Sequence, residues 1–475
     1  MGSLVLSSRL YVRGIGLVLA CTFVSLATQL DILLGPQGLS PVATQLRPGI
    51  SFWRRPTVLW LLGDGDAALW TVVLLGLFGS LWMAWGRARL GGVLLAYVAY
   101  LSLVNAGGIF FQFQWDNLIL EALTLCLLLP LRDSKAPSPL VVVAFRFLLA
   151  RLYLESGVVK WAWGAQSWGA HQAMDHYYET SPLPLMLGFV AHNLPHAWHL
   201  LEEAATFAIE IGLPFFFFGP RRLRLLAVVP GVLLQVIIGL TSSYGSFNFM
   251  AALLFVWLLD DEAWHTLRQR LGRPALPLAE AAPTRVFTTR AAGVFAVAHM
   301  TLASASFAGM MRDSLSFGPV EQVLGVLSPF RPINNYHLFA DVTLQRPVVE
   351  VEWSMDGETF TPLHFKHAPG HANELPPLLL APHHPRVAFQ MWFLALRPRA
   401  DPWFVRLLDG VCQPQSPVHS LFVTPVPSPP AFLRVSILDY RMASLSQWWD
   451  NGTVWTIKTQ QRMPARPCAP SVGAR

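Results

Sequence analysis

The sequence predicts a mainly α-helical fold: a polytopic membrane bundle of about nine apolar spans, followed by a C-terminal, sandwich-like all-β domain outside the membrane. Three observations support this fold class. The 475 residues are 53% hydrophobic and only 13% charged, and their mean hydropathy is +0.43. Apolar runs of the roughly 20 residues that cross a bilayer recur as far as Met310. After that residue, period-two alternation typical of strands takes their place.

Nine apolar segments are candidates for the spans, and the fourth and eighth of them are short. They are 14–34, 67–85, 90–111, 115–131, 140–160, 200–218, 223–241, 246–259 and 291–310. The first follows Arg9 and Arg13, as a secretory signal would, but it is long for a signal and no small-x-small cleavage motif follows it. We therefore interpret it as a retained span.

Basic residues orient the bundle, because loops rich in Arg and Lys stay in the cytoplasm. Nine crossings put 161–199, which contains no Arg or Lys, on the outer side, and only 35–66 carries arginines on the wrong side. We expect a cytoplasmic N-terminus and an extracytoplasmic C-terminal domain. The basic groups on the inner side are Arg9 and Arg13, Arg87 and Arg89, Arg132 and Lys135, Arg221, Arg222 and Arg224, and the group from Arg268 to Arg290.

The C-terminal part shows local strand and helix patterns. Alternation around Asp356 and Gly357 predicts a hairpin, residues 387–396 and 432–442 predict strands, and 402–410 predict a short helix. Cys412 and Cys468 both fall in this part, so an oxidising compartment would let them pair. The expected organisation is a transmembrane domain 1–315, a linker 316–335, a β-rich domain 336–460 and a disordered tail 461–475.

Several classes of function have no support in the sequence. The formal charge of +6 marks topology in a membrane protein, and no basic run with interleaved aromatics indicates nucleic-acid binding. The four cysteines form no CxxC motif, and Pro195 interrupts the helical spacing of His192, His196 and His199. We predict no metal and no cofactor.

The segment 140–160 carries four ionisable residues: Arg146, Arg151, Glu155 and Lys160. Charges at membrane depth face a bundle interior, pair with one another, and often mark function. Two interpretations stay open, structural ion pairs and a path for substrate or protons. Lys160 stands at the end of the segment, where a lysine usually extends to the interface. The acids available as partners are Asp116, Glu121, Glu202, Glu203 and Glu210.

The stretch 174-MDHYYETSPLP-184 concentrates acids and aromatics in the outer loop. One interpretation is a capped interfacial helix whose Asp175, His176 and Glu179 bond locally. The other, which we favour, is an exposed contact for a partner, formed by Asp175, His176, Tyr177, Tyr178, Glu179 and Thr180.

Six segments together resemble the lipase maturation factor family, in order and over nearly the whole chain. They are SLVNAGGIFFQFQWDNLILEAL, FRFLLARLYLESGVVKW, SWGAHQAMDHYYETSPLP, PFFFFGPRR, INNYHLFADVT and 386-RVAFQMWFLAL-396. The resemblance implies a membrane protein, in animals of the endoplasmic reticulum, that helps exported lipases fold and assemble. The low Lys and high Arg, Ala and Pro content favours a bacterial inner membrane instead. The functional residues expected on this basis are Trp115, Asp116, Asn117, Glu121, Arg146, Arg151 and Glu155, together with 175–180.

Two alternatives remain at this stage. The run GVVKWAWGAQSW is similar to a segment of the vitamin K-dependent carboxylase group, which would make Lys160 a catalytic base. A transporter is the third possibility, and its mark would be a continuous polar path. The leading hypothesis is a non-enzymatic maturation factor whose partners are membrane lipid and an exported client, with no nucleic acid.

Overall fold

The computed structural model describes residues 3–86, 89–130, 135–274, 286–312, 318–397, 401–426 and 429–468. Expectations that involve Arg87, Arg132, part of the basic group 268–290, part of the linker or residues 469–475 concern positions outside these ranges.

The described chain up to Met311 is helical. Its α-helices are α1 (Val5–Ala27), α2 (Leu30–Leu34), α3 (Val42–Gln45), α4 (Leu59–Leu62), α5 (Asp66–Trp85), α6 (Arg89–Ala106), α7 (Gln114–Cys126), α8 (Pro139–Trp163), α9 (Ala173–Thr180), α10 (Met186–His192), α11 (His196–Phe207), α12 (Arg221–Thr241), α13 (Phe247–Leu254), α14 (Asp261–Arg270) and α15 (Val286–Met311). Short 3-10 turns occur at Gly108–Phe111, Leu213–Phe218 and Phe255–Leu258, and a π-helical turn occurs at Ala208–Gly212.

Five helices of the described chain are long and apolar enough to cross a membrane. They are Val5–Ala27, Asp66–Trp85, Arg89–Ala106, Arg221–Thr241 and Thr289–Met311. The chain is therefore a membrane protein with several spanning helices. The first helix begins nine residues earlier than the predicted span 14–34, because polar residues near its start are used inside the protein: the Ser7 hydroxyl donates to the Leu259 carbonyl.

The other four predicted spans are helical but shorter or more polar. α7 has 13 residues, and α13 reaches Leu258 only through a 3-10 turn. α8 has 25 residues but carries the four charges. α11 continues to Phe218 through the π-helical turn and a 3-10 segment. Length and composition alone thus support five spans and leave the count of nine a prediction.

Small residues let the first helices pack closely. The Phe23 ring lies over Gly76, where a Cβ atom would come within 2.1 Å of it, and a Cβ on Gly79 would come within 2.9 Å of the Ala96 nitrogen. α5 therefore packs tightly between α1 and α6, and this core fixes the position of the C-terminal end of α1.

The C-terminal part contains one antiparallel sheet and several helices. The helices are α16 (Pro319–Leu327), α17 (Arg386–Leu396), α18 (Pro402–Val411) and α19 (Leu445–Asn451), and the strands are β1 (Arg346–Ser354), β2 (Thr361–Leu363), β3 (Phe432–Met442), β4 (Trp455–Arg462) and β5 (Arg466–Pro467). The sheet order is β2-β1-β3-β4, and β5 also pairs with β3. The described residues hold no second sheet, so the expected all-β sandwich is wrong: α17 packs on β1 where that sheet would lie.

The segment 387–396, predicted as a strand, is helix α17. Its aromatic and branched residues favour a strand locally. However, its buried positions Val387, Ala388, Met391 and Leu394 recur with the spacing of a helix, and Pro385 precedes its first turn. The helix at 402–410 and the strand at 432–442 are present as predicted. The hairpin also forms, with the Asp356 carboxylate accepting from the Glu358 and Thr359 amides.

The expected linker and tail are more ordered than the sequence suggested. Within 316–335, residues 319–327 form α16, and residues that follow pack into the helical bundle. Strand β4 extends to Arg462 and β5 follows, so disorder from residue 461 is wrong for 461–468. A disulfide joins Cys412 to Cys468 and closes a separation of 56 residues.

Candidate functional site

A set of buried ion pairs and hydrogen bonds joins the helical bundle to the C-terminal domain. We call this set the polar joint; it comprises the pair Asp116–Arg386, the cluster around Glu121, the pair Lys160–Glu210, and Glu179 with its partners. Its members come from segments as far apart in sequence as Asp116 and Arg386.

Arg386, the first residue of α17, binds Asp116 of α7 with both guanidinium nitrogens. The Nη2–Oδ1 distance is 2.7 Å and the Nη1–Oδ2 distance is 3.0 Å, with both side chains buried. The Tyr100 hydroxyl donates to the same Oδ1 at 2.5 Å. The Arg386 amide donates to the Gln29 side chain at 2.9 Å, so α6, α7 and the connection between α1 and α2 all contact the start of α17. A two-point arginine–carboxylate pair fixes orientation as well as distance.

Glu121 is the centre of the second cluster. Arg151 Nη1 lies 2.9 Å from Glu121 Oε1, and its Nε lies 2.7 Å from Glu155 Oε1. The segment that follows α16 completes the cluster: the Tyr336 hydroxyl donates to Glu121 at 2.8 Å, and the Tyr336 amide donates to Glu155 at 2.8 Å.

Two further groups saturate the Glu121 carboxylate. The Asn334 amide donates to Oε2 at 3.0 Å, and His299 Nε2 lies 3.0 Å from Oε1. Arg151 also donates to the Asn334 carbonyl. These contacts favour the structural interpretation of the charges in α8, because each buried carboxylate oxygen has a partner.

Lys160 is buried and paired, so its expected place at the interface is wrong. Its Nζ lies 2.8 Å from Glu210 Oε2 and 2.9 Å from the Leu338 carbonyl, with only 3% of the side chain exposed. Glu210 belongs to the π-helical turn. Such a turn changes the direction of side chains within a helix, a feature that hydropathy does not reveal.

Arg146 lies apart from these clusters, on a different part of α8. Its Nε donates to the Trp257 carbonyl at 3.0 Å. Trp115 stacks on Phe113 with ring centroids 4.6 Å apart and lies 4.6 Å from the His384 ring. The half-buried Asn117 accepts from Asn334 through its carbonyl at 3.4 Å.

The stretch 174–184 forms α9 and the turn after it, and most of it is buried. Glu179 is 3% exposed, whereas our favoured interpretation needed it at the surface. Arg441 Nη1 lies 3.0 Å from Glu179 Oε1, and the Met442 amide donates to Oε2 at 3.2 Å. Exposure is therefore wrong for Glu179, because strand β3 covers it.

Hydrogen bonds by the backbone of this stretch hold the same domain. The Thr180 carbonyl accepts from Trp392 Nε1 at 2.7 Å, and the Glu179 carbonyl accepts from Arg346 at 2.9 Å. The Tyr178 hydroxyl donates to Glu202 at 2.9 Å, and Tyr177 lies 3.1 Å from the Tyr244 hydroxyl. All four residues of 177–180 are buried.

Asp175 and His176 are the members of the stretch that keep partial access to solvent. The exposed fractions of their side chains are 28% and 25%. Asp175 accepts from His196 Nδ1 at 2.9 Å, and His176 lies 3.2 Å from Glu179.

The charge of Glu179 depends on these neighbours. Burial by itself raises the pKa of this carboxyl, but His176, His192, the Met442 amide and Arg441 together hold the pKa below its usual value. These contacts therefore favour the ionised form of Glu179. Among the described residues, no group of three or more His, Cys, Asp or Glu side chains is arranged to hold a metal ion.

Sequence reasoning missed several members of the polar joint. Arg386 directly precedes the segment 387–396 that was predicted as a strand, and Tyr100, His299, Arg346 and Arg441 gave no signal. The run 333-INNYHLF-339, which belongs to one of the six segments that resemble the family, supplies both Asn334 and Tyr336.

Comparison with known proteins separates the interpretations. A model of the lipase maturation factor transmembrane domain matches residues 6–266, and one of the lipase maturation factor C-terminal domain matches residues 332–465. The chain belongs to the lipase maturation factor family. Apart from His299, the residues named in the polar joint lie within these two matched regions.

Curated relatives cover the chain almost completely. Lipase maturation factor 2 of Homo sapiens is 30% identical, with 94% of this chain and 81% of that protein covered. Lipase maturation factor 2 of Gallus gallus is 29% identical (93% and 79% covered), and lipase maturation factor 1 of Mus musculus is 26% identical (94% and 86%). No solved structure matches the chain. The comparisons give no support to a carboxylase or a transporter.

Proposed function

We propose that this chain is an integral membrane maturation factor that assists the folding or assembly of an exported client, a lipase. The observation that carries the proposal is that the family match extends over both the bundle and the C-terminal domain, which are the two parts that the polar joint connects. In this role the protein binds the client and positions it, which requires no catalytic group. Its partners would be membrane lipid and the client, with no nucleic acid.

We propose nine crossings, with the N-terminus in the cytoplasm and the C-terminal domain outside. The positions of the helix ends support this topology. Near the start of α1, the Asp261 amide donates to the Ser3 carbonyl at 2.9 Å. Near its end, Gln29 donates to the His384 carbonyl at 2.9 Å. One end of α1 therefore contacts the C-terminal domain, and its other end contacts the connection between α13 and α14. This arrangement agrees with the uneven distribution of basic residues between the loops.

The outer compartment would be an oxidising one, either the lumen of the endoplasmic reticulum or the space outside a bacterial inner membrane. The disulfide between Cys412 and Cys468 supports this, because such bonds persist where thiols are oxidised. A membrane-impermeant thiol reagent should label a cysteine at Ala170 or Glu358 only from outside. Labelling from the cytoplasm would reverse the topology.

We propose a division of labour among the residues that the sequence singled out. Asp175 and His176 would contact the client, since they are the accessible part of the acidic stretch. Tyr177, Tyr178, Glu179 and Thr180 would position that surface and the C-terminal domain relative to each other. Six residues would hold the C-terminal domain in this position from within the bundle: Trp115, Asp116, Asn117, Glu121, Arg151 and Glu155. Arg146 would stabilise the part of α8 that lies apart from the polar joint.

The test is secreted lipase activity, normalised to the amount of this protein in the membrane. Asp175→Ala combined with His176→Ala should lower the normalised activity several-fold while the protein accumulates normally. Glu358→Ala, an exposed acid on the hairpin, is the matched control and should change nothing. A photoreactive residue at position 176 should crosslink to the lipase. Full activity of the double variant, without a crosslink, would overturn the client-contact proposal.

A further inference from the structure

Helix α19 is amphipathic and lies largely exposed. Leu445, Trp448 and Trp449 are spaced i, i+3 and i+4, so they share one face, while Gln447 and Asp450 lie on the opposite face. Trp449 is 82% exposed. The helix is nonetheless well defined, because Ser444 and Gln447 form a capping box at its start. An ordered helix that presents an indole to its surroundings needs an explanation.

The start of α19 is fixed to the connection between α10 and α11. The Leu445 amide donates to Asn193 Oδ1 at 2.9 Å, and Asn193 Nδ2 donates to the Ala443 carbonyl at 3.3 Å. The Trp448 ring meets the Phe189 ring edge-on, with centroids 6.3 Å apart. α19 therefore keeps a set position relative to the bundle although it belongs to the C-terminal domain.

α10 in turn lies against the end of the apolar helix α12. The Leu185 amide donates to the Thr241 carbonyl at 3.0 Å. A Cβ atom on Gly188 would come within 2.4 Å of that carbonyl oxygen, so the two backbones touch. Because Thr241 is the last residue of a helix that is long and apolar enough to cross a membrane, α10 would lie at the level where the hydrocarbon ends.

Exposed apolar residues occur on all of these elements. α12 exposes them along its length, as expected for a helix in contact with lipid, and α10, α11 and α19 carry further ones. They are Leu233, Val236, Ile237 and Leu240 on α12, Leu187 and Val190 on α10, Leu194 in the connection, Trp198 and Leu201 on α11, and Leu445 and Trp449 on α19. The apolar face of α19 thus belongs to a group of elements that already includes a lipid-facing span.

We propose that α19 lies in the headgroup region of the outer leaflet, with Leu445 and Trp449 in contact with phospholipid, so that the C-terminal domain rests on the membrane. Tryptophan is enriched at this depth because the ring is apolar and its N–H is polar. Short amphipathic helices bind in the plane of the interface through such a face. This goes beyond the proposed function and does not depend on the identity of the client.

The consequence for the protein is a second attachment of its outer domain. The polar joint holds the domain from the bundle side, and α19 would hold it from the lipid side. The domain would then be held close to the bilayer, which limits where a client meets it.

The test measures the depth of spin labels in the full chain, reconstituted in phosphatidylcholine vesicles after Cys21→Ala and Cys126→Ala. For each nitroxide, the measured quantity is the ratio of its collision rate with oxygen to its collision rate with a water-soluble nickel chelate. This ratio should be at least several times larger for a label on Trp449→Cys than for one on Asp450→Cys. Asp450 is the neighbouring residue on the polar face and provides the matched control. A label on Leu445→Cys, also on the apolar face, should give the same result as the label at position 449. If the Trp449→Cys variant does not fold, Leu445→Cys takes its place.

Equal access of the nickel chelate to labels at 449, 445 and 450 would overturn the proposal. A label at 449 that is open to the chelate, but becomes protected when the client is added, would also overturn it and would make the face a protein contact. Neither result would bear on the client contacts at Asp175 and His176.

Discussion

Arg386 of the C-terminal domain and Asp116 of the bundle form a two-point ion pair, at 2.7 and 3.0 Å, although 270 residues separate them. Both side chains are almost fully buried. Burying two charges costs free energy. Their attraction offsets this cost only when the geometry is good and their remaining hydrogen-bond donors and acceptors have partners. The Tyr100 hydroxyl donates to Asp116, and the Phe110 carbonyl accepts from Arg386. We expect this pair to fix the orientation of α17 against α7.

Arg386→Met and Asp116→Asn should each lower the free energy of unfolding by about 3–5 kcal/mol, because each leaves a buried group without its partner. The double change should cost less than the sum of the two. The measurement is thermal unfolding in detergent, analysed as a double-mutant cycle. Arg466→Met is the matched control: its partner Asp409 is exposed, so the change should cost about 0–1 kcal/mol. Additive losses for the buried pair would contradict the coupling.

Arg151→Leu should be the most damaging single change in the cluster around Glu121. It leaves Glu121 and Glu155 buried without the cation that both contact. We expect a loss of about 3–5 kcal/mol and poor accumulation in the membrane. Glu155→Gln should cost less, since the amide oxygen still accepts from Tyr336. Lys458→Met, at an exposed site on β4, is the control. Normal accumulation of Arg151→Leu would show that the cluster does not depend on its charge.

Lys160→Arg separates a structural lysine from a catalytic base. Arginine keeps the positive charge that Glu210 requires but practically cannot lose a proton. The lipase activity, normalised to the amount of this protein in the membrane, should therefore persist. Lys160→Met should impair accumulation, and adding Glu210→Gln should restore part of it. Loss of all activity in Lys160→Arg at normal abundance would instead indicate a base.

Stability should depend on pH through Glu350 of β1. Burial, and then the neighbouring Glu352, raise the pKa of Glu350 from 4.5 to about 7. The folded protein therefore holds a proton that the unfolded chain releases, so stability is lost as the pH rises from about 4.5 through about 7.

Glu350→Gln should flatten this dependence and raise the free energy of unfolding at pH 8 by about 1 kcal/mol, a figure reduced to allow for partial exposure. The measurement is the unfolding temperature from pH 5 to pH 8 in detergent. Glu358→Gln, at an exposed site, should leave the curve unchanged. A profile for Glu350→Gln that keeps the wild-type slope would contradict the assignment.

Local patterns in the sequence predicted much of the fold. Strand 432–442, helix 402–410 and the Asp356–Gly357 hairpin follow rules that act over a few residues, and apolar length located the long helices. The same local rules failed at 387–396, where a strand-forming composition folds as a helix because its buried face has helical spacing.

The site was less predictable, because its residues meet through the tertiary fold. Arg151 and Glu155 stand i, i+4 in the sequence, which is the spacing of an ion pair on one helix face, and they do pair. The pairing of Arg386 with Asp116, and the covering of Glu179 by Arg441 and Met442, depend on how two domains dock. Charge density drew attention to the acidic stretch, but it gave no indication that Tyr177 to Thr180 face inward.

The most direct test of the account measures whether the joint holds the two parts as one body. Nitroxides would be placed at Ala170, in the loop between α8 and α9, and at Glu358, on the hairpin, in a chain without Cys21 and Cys126. The distance between the two labels would be measured by pulsed electron resonance. The wild type should give a single narrow distribution. Glu179→Gln and Arg386→Met should each broaden it, while Arg466→Met should not. A broad distribution in the wild type itself would contradict the central claim.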